Sequence, residues 1–500
     1  MFEWKSEDHS DQALGVESKS QIEINEISQI CFDARLATPN SVFVAVRGHQ
    51  TDGHDYIVQA IANGAIALVV EDVKKIPNDY KGFVLTIPNS RKMLDVLAAR
   101  FYENPSQKLF CFGVTGTNGK TSITYLLEHI LNDNKKITGV MGTINHRVEN
   151  GSEIKIWDSE MTTPDPVTLQ KRLGEFIQAG ATFAALEVSS HALDQKRADS
   201  VHFNTVIFTN LTLDHLDYHK NMNDYFTAKQ RLFSDLLWMS VKKPIFAIVN
   251  IDDSYGRKIK LPEHVVSWTY GQNDADFQFK ILKMSFAETE FELQTPLEKI
   301  VIQIPLAGLH NVYNVVAAVA GALSAGVSIE QSVKSLKNFN GIPGRLQNAN
   351  VHSLKNVFVD YAHTPDALEN TLKSILKIKK EIKSDHKIIT VFGCGGDRDK
   401  SKRPMMAKIA AHNSDFVFIT SDNPRTENAD EIILQIKNGL PIEYKNFDID
   451  SDRERAIQKA INMAQSGDVV LLAGKGHEDY QIIGTTKNHF SDIEVARKYL

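Results

Sequence analysis

Cysteine is scarce: Cys31, Cys111 and Cys394 are the only three in 500 residues, and none belongs to a CxxC pair. Three widely spaced thiols support neither a disulfide framework nor a thiolate zinc site, which fits a reducing compartment. Long apolar runs are missing as well. No stretch of about eighteen apolar residues is present to span a bilayer, and Met1–Ser20 is polar and acidic, without the apolar core of a secretory leader. The expected location is the cytoplasm, with no membrane insertion. Positive charge is not in excess: 56 Lys and Arg stand against 62 Asp and Glu, a formal net charge of −6 with the signs interspersed. Sequence-independent nucleic-acid binding needs a one-sided basic field, so nucleic acid is excluded as a partner. Internal repeats and low-complexity tracts are also absent. What is present, 42% hydrophobic and 24% charged residues, is the composition of a soluble chain folded nearly throughout. Its length allows roughly three domains of about 100 to 200 residues each.

The apolar pattern divides the chain at two places. Residues 1–107 read as a small α/β domain, with strands over Ser41–Val46 and Ile66–Val70 around a helix over Ile57–Gly64. Asn104–Gln107 reads as a linker, because Pro105 bars regular continuation. Residues 108–342 open on an apolar strand over Leu109–Val114. Short apolar runs at Ala184–Val188, Val206–Phe208 and Ile245–Val249 follow, as in a parallel sheet buried on both faces, and alternation over Phe277–Leu293 predicts an antiparallel appendage. From residue 343 to 500, strand and helix patterns alternate, which predicts a doubly wound parallel sheet. The expected fold class is therefore α/β throughout.

Five constellations carry chemistry. Thr115-Gly116-Thr117-Asn118-Gly119-Lys120-Thr121, followed by Ser122, lies between a strand and a helix marked by Ile123, Leu126, Leu127, Ile130 and Leu131. A glycine-rich turn there aims backbone N–H groups and a helix N-terminus at phosphate oxygens, with Lys120 near the β- and γ-phosphates and the Thr121 hydroxyl offered to Mg²⁺. Val114 replaces the first glycine of the strict pattern, so Gly116 carries the tight turn. The second cluster, Glu187-Val188-Ser189-Ser190-His191 with Gln195 and Arg197 beyond it, sits at a strand end, where α/β folds present ligands; a capped strand end with a satisfied histidine is the plainer reading. The third, Asp214-His215-Leu216-Asp217-Tyr218-His219, leads to Tyr225 and Lys229 and is dense in metal-binding or acid–base groups, although a polar turn fits equally. The fourth, Gly308–Asn314, places Asn311 and Asn314 on one helix face, where they could read an adenine edge while His310 packs on its ring; an ordinary helix start is the alternative. The fifth is three loops after three strands, Gly393–Arg398, Ser421–Arg425 and Gly474–Glu478. Two arginines and a glutamate converging there suit a zwitterion, surface ion pairing being the rival reading.

Read together, these motifs resemble the Mur ligases of bacterial cell-wall synthesis over nearly the whole chain. The resemblance is carried by TGTNGKTS at Thr115–Ser122, TTPDP at Thr162–Pro166, EVSSHAL at Glu187–Leu193, TNLTLDHLDYH at Thr209–His219, HNVYN at His310–Asn314 and DYAHTPDAL at Asp360–Leu368. It implies an N-terminal domain for the UDP end of a muramoyl-peptide, a central P-loop ATPase domain, and a Rossmann-like domain for the incoming amino acid. It further implies that Gly116, Thr117, Asn118, Gly119, Lys120, Thr121, Ser122, Asn311, Arg345 and Asp360 contact ATP. Phe32, Ala34, His49, Gln50, Thr51, Thr162, Thr163, Ser189, Gln195 and Arg197 would contact the UDP-muramoyl-dipeptide. Ala34 stands where the family has a serine, removing one polar contact. Lys229 aligns with the family's carboxylated lysine, whose carbamate would hold Mg²⁺ with Thr121, Glu187 and His215. Lys120, His215 and Lys229 are the implied catalytic residues.

The segment Asp422-Asn423-Pro424-Arg425 matches the form associated with meso-diaminopimelate, whose second carboxylate Arg425 could hold bidentately, and Arg398, Gly474 and Glu478 are implied in the same site. The expected reaction is ATP-dependent: a D-glutamyl carboxylate takes the γ-phosphoryl group, and the amine of diaminopimelate displaces phosphate from the acyl phosphate. The expected partners are these small molecules, and the expected state is a monomer. Three rival readings remain: the same chemistry on L-lysine, a folylpolyglutamate-type ligase, and a non-catalytic nucleotide-binding switch.

Overall fold

The computed structural model describes residues 3–5, 21–23, 26–48, 51–151, 153–215, 218–349 and 354–500. The chain forms two compact units, one of Met1–Gly271 with Ala317–Ser328, the other of Gln272–Val316 with Ile329–Leu500. Among the described residues no helix is long and apolar enough to cross a membrane.

The first unit begins with a short antiparallel pair, β1 (Glu3–Lys5) with β2 (Gln21–Glu23). A four-stranded parallel sheet follows in the order β3 (Gln29–Cys31), β4 (Ser41–Val44), β5 (Ala65–Val70) and β6 (Phe83–Thr86). Its two faces are covered by α1 (Ile57–Ala62) and α2 (Ser90–Phe101), which bury Ile57, Ala60, Leu94 and Leu97. The expected linker is corrected here: Pro105 opens a helical turn, α3 (Pro105–Lys108). Proline lacks only the N–H that a first helical turn leaves unused, so it starts this turn rather than breaking the chain.

The larger sheet of this unit runs β10 (Ile154–Asp158), β9 (Asn145–Glu149), β8 (Thr138–Met141), β11 (Phe183–Glu187), β7 (Phe110–Thr115), β12 (Thr205–Phe208), β13 (Phe246–Asn250) and β14 (Val266–Gly271). Strands β8 to β14 of that order are parallel, and β9 and β10 form an antiparallel edge hairpin. The central strands are buried along their whole length, as near-continuous apolar runs require. Helix α4 (Lys120–Asp133) turns Ile123, Leu126, Leu127, Ile130 and Leu131 fully inward. Helix α5 (Pro166–Gln178) is capped by Asp165, which accepts from the amides of Val167 and Thr168. Short α6 (Ser190–Asp194) follows β11, and α7 (Met222–Arg231) continues through a π-helical turn, Leu232–Leu236, into α8 (Leu237–Met239). Helix α9 (Leu309–Ser324) begins in the second unit and ends in the first.

The second unit carries the antiparallel strands β15 (Phe277–Met284), β16 (Thr289–Gln294) and β17 (Lys299–Ile304), the expected appendage. Helix α10 (Ile329–Leu336) precedes a six-stranded sheet ordered β18 (Gln347–Asn348), β19 (Asn356–Asp360), β23 (Val469–Ala473), β20 (Ile388–Phe392), β21 (Phe416–Thr420) and β22 (Phe447–Asp450). Helices α11 (Pro365–Glu381), α12 (Lys402–Asn413), α13 (Ala429–Lys437), α14 (Arg453–Met463) and α15 (Asp492–Tyr499) cover its faces, with apolar cores on both sides. All strands from β19 to β22 are parallel, so the loops after β23, β20 and β21 leave from neighbouring strand ends. A polar hairpin, β24 (Tyr480–Ile483) with β25 (Thr486–His489), follows the last of them.

Candidate active site

Strand β7 delivers the chain to the phosphate loop with the Thr115 hydroxyl donating to the Val188 carbonyl at 2.7 Å. The loop turns at Gly116 (φ +150°) and Gly119 (φ +90°), and a Cβ at Gly116 would overlap the Thr209 hydroxyl. Glycine is therefore required by space as well as conformation. The neighbouring strand end fixes the loop: the Thr117 and Asn118 amides donate to the Asn210 carbonyl (2.9 Å) and side chain (3.0 Å), and the Thr209 hydroxyl donates to the Asn118 carbonyl at 2.6 Å. Lys120 Nζ donates to the carbonyls of Gly116 (2.9 Å) and Thr117 (2.8 Å). Thr121 and Ser122 lie in the first turn of α4, whose leading amides have no intrahelical acceptor. The result is a concave, electropositive helix start suited to phosphate oxygens.

Lys229 on α7 reaches the same loop. It is fully buried and donates to the Gly116 carbonyl at 2.9 Å. Burial, reinforced by the charge of Lys120, holds its amine well below the ordinary lysine range. Its Nζ sits 4.7 Å from the centre of the Tyr225 ring, and His215 meets the same ring edge-on at 5.8 Å. His219 stacks on Tyr225 and hydrogen-bonds Ser190 through Nε2 at 3.0 Å, while His191 packs against His215 and Tyr218. Lys229, His215, His219 and Tyr225 are thus gathered at one end of the sheet; Leu216 and Asp217 lie outside the described residues.

Glu187 ends β11 beside β7 and is buried. Its two oxygens accept from the Thr143 amide and hydroxyl, both at 3.0 Å, and a Cβ at Gly142 would overlap the carboxylate. Thr162 bonds the Thr143 hydroxyl at 3.0 Å. Thr163 donates to the Glu187 carbonyl at 2.8 Å and accepts from the Ser189 amide at 2.9 Å. Thr162, Thr163 and Ser189 therefore brace this strand end. No group of three or more His, Cys, Asp or Glu side chains set to hold a metal ion occurs among the described residues. The Glu187 carboxylate and Thr121 hydroxyl are nevertheless hard oxygen donors of the kind Mg²⁺ takes one or two at a time beside phosphate and water.

Next to Arg197 opens a cavity of about 630 Å³, within the range of ligand pockets. It is lined by the expected Phe32, Ala34, Thr51, Gln195 and Arg197, and also by Arg35, Tyr56, Arg91 and Asp165. His49 and Gln50 lie outside the described residues. Thr162, Thr163 and Ser189 do not line the cavity, though Arg197 donates to the Thr163 carbonyl at 2.5 Å. Arg197 also donates to Gln195 at 3.0 Å, and Gln195 donates to the Tyr218 hydroxyl at 3.2 Å, a chain of contacts from the cavity wall to the histidine cluster. Ala34 is buried in the small-sheet core, with the Asn63 side chain donating to its carbonyl.

In the second unit, Asn311 is buried, donates to the Ala307 carbonyl at 2.8 Å, and accepts from Asn314 at 3.5 Å. Asp360 accepts from the Leu346 and Ala362 amides and the Thr371 hydroxyl, and the charge of Arg345 acts on it. Burial outweighs those partners and pushes its carboxyl upward.

The three polar loops of this unit pack on one another through glycines. A Cβ at Gly393 would overlap the Thr420 carbonyl, and one at Gly396 the Pro424 carbonyl. Arg425 donates its amide to the Ile482 carbonyl (3.1 Å) and its guanidinium to the Gly396 carbonyl (2.9 Å). Arg398, exposed, flanks the same glycine turn: a Cβ at Gly395 would meet Arg425 Nη1 at 2.9 Å and Arg398 Cγ at 3.8 Å. Asn423 donates to Glu478 at 2.9 Å and accepts from the Ile482 amide at 2.9 Å and from Lys475 at 3.2 Å. Burial first, then the charge of Asp422, raises the carboxyl of Glu478 above its ordinary range.

Three family models match the chain in succession. "Mur ligase family, catalytic domain" matches residues 26–102, "Mur ligase middle domain" residues 114–322, and "Mur ligase, glutamate ligase domain" residues 344–476. A relative from Clostridioides difficile, UDP-N-acetylmuramoyl-L-alanyl-D-glutamate--2,6-diaminopimelate ligase, is 42% identical over 492 residues, 97% of each chain. The chain belongs to the Mur ligase family. A relative of the same name from Thermosynechococcus vestitus is 42% identical over 95% of this chain and 93% of its own. A solved structure of a protein of that name is 32% identical, with a TM-score of 0.67 and coverage of 95% and 94%. The chain is accordingly an ATP-dependent, ADP-forming ligase built of three Mur ligase domains.

Motif reading of this Mur ligase assigned no site role to Arg91, Arg35 or Asp165 of the cavity; Arg35 carried a signal in the Phe32–Arg35 segment and Asp165 inside TTPDP, whereas Arg91 carried none. It also missed the buried Arg403, which donates to both Glu427 oxygens (3.0 and 2.9 Å), to Gln435 (2.7 Å) and to the Gly395 carbonyl (3.1 Å), tying two of the three loops together.

Proposed function

We propose that this Mur ligase joins meso-2,6-diaminopimelate to UDP-N-acetylmuramoyl-L-alanyl-D-glutamate at the expense of ATP. The observation that carries the reading is the cluster of three loops, where two arginines flank one glycine turn and a half-buried glutamate is held by Asn423. A ligand with an ammonium and a carboxylate at its distal end satisfies both charges. L-Lysine leaves Arg425 without a carboxylate, a cost of about 1 to 3 kcal/mol for an unmet charged donor, or roughly 5- to 150-fold in selectivity. Arg398, Asp422, Asn423, Pro424, Arg425, Gly474 and Glu478 form this amino-acid site.

The stretches 1–107, 108–342 and 343–500 serve the UDP end, ATP and the amino acid in turn. Phe32, Ala34, Thr51, Gln195 and Arg197 bind the muramoyl substrate in the 630 Å³ cavity; Thr162, Thr163 and Ser189 support it from the strand end. The phosphate loop holds ATP, with Lys120 neutralising the β- and γ-phosphates. Lys229 carries CO₂ as a carbamate. Burial and the charge of Lys120 shift its amine toward the neutral form that adds CO₂, and the product places an oxygen ligand beside Lys120. The carbamate, Glu187, His215 and the Thr121 hydroxyl would hold Mg²⁺, which supplies charge neutralisation at the phosphates.

The D-glutamyl side-chain carboxylate attacks the γ-phosphorus, and ADP leaves. The amine of diaminopimelate then attacks the acyl carbon; its proton is lost, the amide forms, and phosphate leaves. The chain contributes position and charge more than covalent chemistry. Incubation with ATP, Mg²⁺, the UDP-muramoyl-dipeptide and either amino acid, followed by product mass, tests reaction and choice together. Product from L-lysine alone would refute the specificity.

A further inference from the structure

The loops of the amino-acid pocket share a cation that the motifs do not assign. Lys475, between Gly474 and Gly476, is fully buried; its ammonium lies 3.4 Å from Asp422 and 3.7 Å from Glu478, and it donates to Asn423 Oδ1 (3.2 Å) and the Tyr480 carbonyl (2.6 Å). It therefore touches the loop after β21 and both ends of its own loop. The glycines beside it are needed to place it: Gly474 (φ +115°) and Gly476 (φ +54°) adopt backbone conformations that other residues rarely do, and a Cβ at Gly476 would press on Tyr361. Asp422 Oδ1, buried, has no hydrogen-bond partner, so the ion pair with Lys475 is the main interaction that oxygen makes.

We propose that Lys475 is the positioning and charge-balancing residue of the amino-acid site, setting Asp422, Asn423 and Glu478 so that this cluster presents one net negative charge to an incoming ammonium, with Arg425 and Arg398 left to the ligand's carboxylate. Within the cluster, two carboxylates against the Lys475 ammonium leave that single charge. Without Lys475, two adjacent buried carboxylates would hold a proton between them, and Glu478 would accept the ligand ammonium only at higher pH. The groups facing Glu478 are Asp422, Lys475, Asn423 and Arg425, with Tyr361, Tyr480 and Arg453 also within electrostatic reach. Of these, Lys475, Asn423 and Arg425 favour its ionised form, and Asp422 opposes it.

This inference rests on the diaminopimelate reading, and its test separates the two. The measurement is kcat/KM for meso-diaminopimelate against pH, at saturating ATP and UDP-muramoyl-dipeptide, in the full chain. Lys475→Met, which keeps the length and removes the charge, should raise KM for diaminopimelate about tenfold or more. It should also move the acidic limb up by about 1 to 3 pH units, with kcat and the KM for ATP little changed. Asp422→Asn should move the limb down, because Lys475 then serves Glu478 alone; this variant decides the matter if Lys475→Met does not fold. The double variant should return the limb toward the wild-type position. An active wild type whose acidic limb stays in place in Asp422→Asn, or in a folded Lys475→Met, overturns the charge-balancing role. A wild type that forms no diaminopimelate product overturns the underlying reading, and this inference with it.

Discussion

Two buried lysines, one in each unit, make opposite use of burial. Lys229 meets a carbonyl, an aromatic face and the like charge of Lys120, and its amine is driven toward the neutral form. Lys475 meets two carboxylates and an amide oxygen within 3.7 Å. The neighbours set the difference. A lysine held mainly by a carbonyl and an aromatic face is disfavoured as a cation, whereas one between two carboxylates is an ion-pair partner that ties loops together. Burial by itself therefore says nothing about a lysine's role.

The comparison can be broken at its strongest point by Lys120→Ala. That change removes the charge proposed to face the ATP phosphates and one cause of the lowered Lys229 amine, and amide formation should fall by about 10²- to 10³-fold or more in a product-mass assay. Near-normal turnover would refute the placing of ATP at this loop. Next in size, Lys229→Met should lower kcat by about 10²-fold, and the wild type alone should lose activity in CO₂-depleted buffer and regain it on adding bicarbonate. A wild type indifferent to bicarbonate would leave Lys229 a plain buried amine. Arg425→Ala should raise KM for diaminopimelate about tenfold or more and narrow its advantage over L-lysine, with kcat less affected; an unchanged preference would remove Arg425 from recognition.

The smallest effect sharpens the comparison from the acidic side. Asp95 on α2 is a buried carboxylate with no cation: one oxygen has no hydrogen-bond partner, and burial, with the nearby Asp199, pushes its carboxyl up to about 7. A carboxyl raised on folding contributes stability at low pH that is lost as pH rises through its folded value. Asp95→Asn should thus raise the thermal unfolding midpoint by a few degrees at pH 8 and by less than half as much at pH 5, which lies inside the window between the unfolded and folded values. An equal gain at both pH values would mean that packing, not charge, governs the site.

What the sequence revealed depended on how local each feature is. The phosphate loop was legible because strand, glycines, Lys120 and helix fall within one short segment, and the alternation after residue 343 is repeated often enough to show a parallel sheet. The linker at Asn104–Gln107 misled because proline breaks a helix in its interior but opens one at its start. The hairpins β9–β10 and β24–β25 went unseen because β25 is exposed and polar, while β9 buries His146 and Arg147, side chains that give no apolar signal. Lys475 was hidden by distance along the chain: its partner Asn423 lies 52 residues away, and only neighbouring parallel strands bring the two loops together. Arg403 and Glu427 were hidden in the same way, from a helix and a loop that no motif joins.

Gly142 shows how such a site is protected over generations. Any side chain there would overlap the Glu187 carboxylate. Every single-base change in a glycine codon is silent, ends the chain or adds a Cβ, so no mild first step leads away from this position. The carboxylate is thereby crowded by a residue that contributes no functional group, and any substitution there must first displace the Glu187 side chain.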